Sequence, residues 1–184
     1  MLTKIYLRFL VIDLMLFLLV SCLAEPPLPK KTDSLLLDLT LNQNKVHSVE
    51  DISGVVILTN QSNINVLVHR RLFYMPFPGP SDAMEMYIMV SDSSGNLVYM
   101  KYFTAKYDLP SENTLSLLKP GEHIERRINL YRGFDTSMFR KGEKYTIVAV
   151  YQNDLDVTKT IDGVIVSSWV GSVRSNEETF FILP

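Results

Sequence analysis

From Leu35 onward, apolar and polar positions alternate with a period of two, interrupted every few residues by clusters of turn formers. Leu35, Leu37, Leu39 and Leu41 share one face of an extended segment, with Asp38 and Thr40 on the other. Successive side chains of a strand point to opposite faces, so this spacing predicts a half-buried strand. The β-branched run 54–59 predicts a second, and 66–72 a third. Segments 84–90 and 97–103 flank the turn-rich 91–96 and predict a hairpin. Further strands are predicted over 124–130, 145–151, 163–170 and 179–183. Between Lys119 and Glu122, Pro120 suits the first central position of a type II turn, and Gly121 the positive φ of the second. No segment keeps apolar residues at helical spacing over three turns, and only 131–139 has room for a single helical turn. Eight or nine short strands without helices between them predict an all-β fold, one antiparallel β-sandwich over residues 34–184.

The first two dozen residues follow another pattern. Lys4 and Arg8 precede an apolar segment, Phe9 to Val20, interrupted by Asp13. A positive start, a short apolar middle and small residues at its end describe a secretory signal peptide. The rival is a permanent span from Ile5 to Ala24, which matches the roughly 20 residues a bilayer requires. That span would place Asp13 near mid-membrane at a cost of about 3 kcal/mol. Pro26 and Pro27 would also stop the helix at once. The pattern favours a removed leader.

Within that leader, "Leu19-Val20-Ser21-Cys22" resembles the lipobox of bacterial lipoproteins at all four positions, while Asp13 departs from the usual apolar segment. The resemblance implies a signal peptide over residues 1–21, a diacylglycerol on the Cys22 sulfur, and an acylated Cys22 as the mature N-terminus. Membrane lipid is then the first partner, and the cell envelope the location. Leu23 rather than Asp after Cys22 implies the outer membrane in a bacterium with two. One acyl chain holds only marginally, whereas two or more anchor stably. Ordinary cleavage after Ala24 is the alternative, releasing a soluble protein and discarding Cys22. Residues 22–33 then read as a tether, because three prolines within 26–29 favour an extended polyproline conformation.

The domain itself resembles a widespread extracellular bacterial immunoglobulin-like domain. The pieces that carry the likeness are "LTNQSNINVLV", "LLKPGE", "FRKGEKYTIVAVYQN" and "WVGSVRSNEETFFI". The resemblance implies that Gly142 turns the chain into a late strand and that Tyr145, near its start, bonds backbone upstream as a corner tyrosine. Ser175 and Asn176 would precede the last strand. Such domains bind different things through different loops, so no functional residue is carried across.

Composition narrows the chemistry. Cys22 is the only cysteine, so the mature chain has no disulfide and no thiol nucleophile, which suits an exported protein. The 18 basic residues less Lys4 and Arg8, set against the 20 acidic less Asp13, give a mature net charge of about −3. That balance gives nucleic acid no electrostatic purchase. Lys30–Lys31, Arg70–Arg71 and Arg126–Arg127 read as scattered solvated pairs. His47, His69 and His123 lack metal-ligand spacing and read as surface or edge histidines. Asp154 and Asp156, or Glu177 and Glu178, lack the further oxygen ligands a calcium site needs. There is no nucleophile elbow and no phosphate cradle. No catalytic residue, metal, cofactor or small-molecule substrate is expected. Trp169, late in a strand, reads as a plug between sheets.

One segment stands out as an interaction loop: 72–80, with Phe73, Tyr74, Met75 and Phe77 among three prolines. Proline cannot sit in a central strand, so the segment must leave the sheet or run along its edge. Its aromatic residues and methionine are types enriched at interface centres, although Phe73 and Phe77 folding inward to cap the core is the more ordinary arrangement. The function expected is a membrane-anchored, non-catalytic binding or scaffolding module with a protein partner in the cell envelope. An inhibitor or chaperone-like accessory of an exported enzyme is the alternative.

Overall fold

The computed structural model describes residues 34–72, 74–76, 85–98, 110–132 and 134–184. Among these the strands run β1 (Leu35–Leu41), β2 (Lys45–Val46), β3 (Ser53–Asn60), β4 (Val66–His69), β5 (Tyr74–Pro76), β6 (Met86–Asp92) and β7 (Leu115–Leu118). They continue with β8 (His123–Asn129), β9 (Lys144–Asn153), β10 (Thr158–Ile161), β11 (Val164–Ser167), β12 (Gly171–Arg174) and β13 (Glu178–Ile182). The fold is all-β, with no helix of seven residues or longer among the described residues. Cys22, Phe73, Phe77 and the return strand 99–103 lie outside the described residues, and Met75 is described by its backbone alone.

Two sheets pack face to face as a β-sandwich. The smaller has the order β1-β3-β8, and the larger β2-β13-β9-β6-β5, with β12 also on β9. The leucine alternation of β1 does what its period requires: Leu35, Leu37 and Leu39 are buried against the facing sheet while Leu36, Asp38 and Thr40 turn outward. Across the core they meet Met86, Ile88 and Val90 of β6, with Ile147, Ala149 and Tyr151 of β9. β9 is the central strand of the larger sheet, and its apolar run from Ile147 to Tyr151 is buried on both faces. β12 and β13 pair with successive halves of one edge of β9. Between them, the Asn176 side chain reaches the smaller sheet, accepting from Leu39 N at 2.8 Å and donating to Leu39 O at 2.9 Å.

The predicted turns are present. Gly121 has φ 76° and Glu122 N donates to Lys119 O at 3.0 Å, closing the Pro-Gly turn. The 91–96 turn closes through Gly95 N to Asp92 O at 3.0 Å. Gly142 N donates to Ile182 O at 2.7 Å, and Tyr145 makes the corner bond, its hydroxyl accepting from Arg140 N at 2.7 Å. The helical propensity of 131–139 appears as two 3-10 turns, Leu130–Arg132 and Thr136–Met138.

Three details differ from the sequence reading. Pairing is not uniformly antiparallel, because β2 runs parallel to β13 and β5 parallel to β6 at the two ends of the larger sheet. The expected strand 66–72 stops at His69, and Leu72 turns with φ 43° while its side chain is fully buried. The expected strand 163–170 is instead the second half of a hairpin, since Asp162 and Gly163 both take positive φ (51° and 79°) between β10 and β11. Two such residues form the type I′ turn whose twist matches paired strands.

Candidate functional site

The sequence places His69 at the surface or at an edge; the structure buries it. It ends β4, where its ring is 1% exposed, beside Glu85 at 0%. The Asn153 amide fixes the tautomer of that ring. Its Nδ2 donates to Trp169 O at 2.6 Å, and its Oδ1 accepts from Leu155 N at 3.0 Å. That same Oδ1 lies 3.0 Å from His69 Nε2, so Nε2 carries the proton. The bare Nδ1 faces the Thr114 hydroxyl at 2.7 Å, and Ser111 O, also 2.7 Å away, competes for that hydroxyl's single proton. Burial, the largest influence, holds the His69 pKa below its ordinary value, against the opposing pull of Glu85.

The carboxylate is matched in turn. Arg71, on the turn after β4, donates to Glu85 Oε1 through Nε at 2.8 Å and Nη2 at 2.5 Å. Arg71 is therefore an ion-pair partner of a buried carboxylate and not the solvated cation that its pairing with Arg70 suggested. The Tyr151 hydroxyl accepts from His69 N at 3.0 Å, and burial pushes its pKa well above the ordinary phenol range. These groups tie β4, β9 and the 3-10 turn Glu112–Thr114 together. The order hydroxyl, imidazole, amide looks like a nucleophile relay. The ring is 1% exposed, and its bonds cross-link the core.

Trp169 connects this cluster to the surface. Its ring lies 5.7 Å from that of Tyr151, and its Nε1 donates to Ser34 Oγ at 2.8 Å. It is 6% exposed, as a plug between sheets should be. Beyond it opens a groove of about 640 Å³, lined in part by Ser34, Ile64, Val164, Ile165, Trp169 and Val170. Ile165 is 74% exposed and Ile64 62%, with Val164 and Val170 also on the surface. The β10–β11 hairpin is held there by a small separate core of Leu67, Leu115 and Val166. The Asp-Gly pair between Ile161 and Val164 was the sequence signal for this hairpin.

Of the four residues of the candidate loop, Tyr74 has its side chain among those described. It is half-buried against the core, and its hydroxyl accepts from Asn129 N at 3.0 Å. β5, which carries it, is the edge strand of the larger sheet, and Pro76 ends it. Asn129 pairs with Ser53, whereas Ser34 adjoins the other end of the same sheet, where Leu35 pairs with Asn60. His123 and Glu125 are exposed on the outer strand β8, and Asp154 accepts from Gln152 Nε2 at 2.7 Å. Among the described residues, no group of three His, Cys, Asp or Glu is placed to hold a metal. No protein-family model matches the chain, and no curated protein matches it in sequence.

Proposed function

We propose that the protein is an exported lipoprotein, acylated at Cys22, whose β-sandwich acts as a non-catalytic binding module in the cell envelope. The observation that carries this reading is the polarity of the sandwich. The tether from Cys22 joins the domain at Ser34, where the chain is gripped by the Trp169 indole. The described part of the aromatic loop is tied to Asn129 at the opposite end of the smaller sheet. The seven residues of β1 separate these ends by roughly 20 Å at about 3.4 Å per residue. A domain anchored at one end and carrying Tyr74 at the other presents that second end away from the membrane. The sealed His69 cluster supports a structural use of its polar groups over a catalytic one.

The test is acylation and fractionation. In cells fed an alkyne-tagged fatty acid, the native protein should take up label and stay with membranes. Cys22→Ala should lose the label and keep its leader, running as the larger, unprocessed form. Unchanged labelling and processing in Cys22→Ala would overturn the reading.

A further inference from the structure

The groove beside Trp169 inverts the normal distribution of residues, with large aliphatic side chains on the outside of the domain. Ile64 projects from the loop after β3, Val164 and Ile165 from the β10–β11 hairpin, and Val170 from the segment that follows. Aliphatic side chains exposed together mark a surface that meets something apolar. Two stretches supply it, 60–68 and 163–173, and neither contains a charged residue. Ser34 lines the same groove. The patch therefore adjoins the point at which the tether joins the domain.

We propose that this patch rests on the lipid bilayer, with Ile64, Val164, Ile165 and Val170 entering the headgroup region and setting the domain's orientation. The proposal rests on acylation of Cys22, and it adds a second contact with the membrane. The argument is one of reach. Twelve residue steps separate Cys22 from Ser34, spanning at most about 43 Å fully extended and about 37 Å as polyproline. An acylated Cys22 thus confines the Ser34 end of the sandwich to within that distance of the membrane. Tethering of this kind raises the effective concentration of the surface at the patch, so contacts too weak to recruit a free protein become occupied. A bilayer interface accepts aliphatic side chains and penalises charge, which matches a patch with four exposed aliphatics on two uncharged stretches. A patch used for a distant partner would have no reason to adjoin the tether.

The test uses the full acylated protein in vesicles of phosphatidylethanolamine and phosphatidylglycerol. Because acylated Cys22 has no free thiol, Ile165→Cys and Val170→Cys each introduce a single site for an environment-sensitive fluorophore, with Glu125→Cys on β8 as reference. The expected result is blue-shifted emission at 165 and 170, quenched severalfold by spin-labelled lipid, with aqueous emission at 125. If the protein stays vesicle-bound while 165 and 170 emit as water-exposed dyes, the bilayer contact is wrong and the anchor stands. If native protein fails to associate with membranes at all, the anchor fails and the contact fails with it. A blue shift that spin-labelled lipid does not quench, and that fades on dilution in the membrane, would assign the patch to a second copy of the chain and overturn the bilayer. Ile165→Ser should leave the melting temperature unchanged, which separates a surface role from a folding role.

Discussion

His69 and Ile165 each occupy the environment usually given to the other. The histidine, with Glu85 and Asn153, is buried and fully bonded, whereas the isoleucine stands in solvent at 74% exposure. The interior group is retained because every polar atom described has a partner, so desolvation is offset by geometry. Among the described residues nothing covers the exterior group, which stands open to whatever surrounds the domain. A buried polar cluster can thus be explained by its own contacts, and an exposed apolar one only by its surroundings.

Trp169 serves both regions, so its removal is the largest break in the contrast. Trp169→Ala should cost about 4 kcal/mol, as deletion of a large buried aromatic does. It should also release Ser34, which would appear as faster hydrogen exchange at the start of β1 in the same sample. A denaturation shift under 1 kcal/mol would mean the ring is not the plug its contacts indicate.

Arg71→Ala sharpens the interior side. It withdraws two donors from a carboxylate with no exposure. Loss of a partner from a fully buried pair costs about 3–5 kcal/mol, and the partial exposure of Arg71 brings the expectation to about 2 kcal/mol. Adding Glu85→Gln to that variant should restore part of the loss, since a neutral amide needs no counter-charge. Further destabilisation in the double variant would show that the carboxylate is held by its other neighbours.

The pH dependence should be smaller and of defined sign. His69 has a folded pKa below its unfolded value of about 6.5. Below that pH the unfolded chain binds the proton more readily, so the stability tied to neutral His69 is complete above pH 6.5. It is lost as pH falls from there through the folded-state value. Thermal melts between pH 8 and 5 should show this fall in the native protein, and His69→Gln should flatten that part of the slope.

The smallest effect belongs to the exterior. Ile165→Ser should change stability by less than about 0.5 kcal/mol, as surface replacements do, while reducing contact with vesicles. A loss of 2 kcal/mol would make Ile165 part of the hairpin's packing and remove it from the exposed side of the comparison.

The chain's local pattern determined most of the frame. β1 runs over Leu35–Leu41, as its leucine spacing predicts. The Pro120-Gly121 turn and the Tyr145 corner follow from residues a few positions apart, whose conformational limits act wherever they occur. Pairing partners, and not their own alternation, hold the shorter strands. β2 has two residues and depends on β13, and β5 has three and depends on β6. The Asp162-Gly163 pair carries a hairpin signal, but the valines and isoleucine after it continue an apolar run that masks where β11 ends. Arg71 with Glu85, and His69 with Asn153, are 14 and 84 residues apart, and no sequence spacing announces such pairs. Tertiary structure alone decided that His69 is internal and Ile165 external. Burial depends on which segments pack over a residue, and that is a property of the closed sandwich, not of either residue's neighbours along the chain.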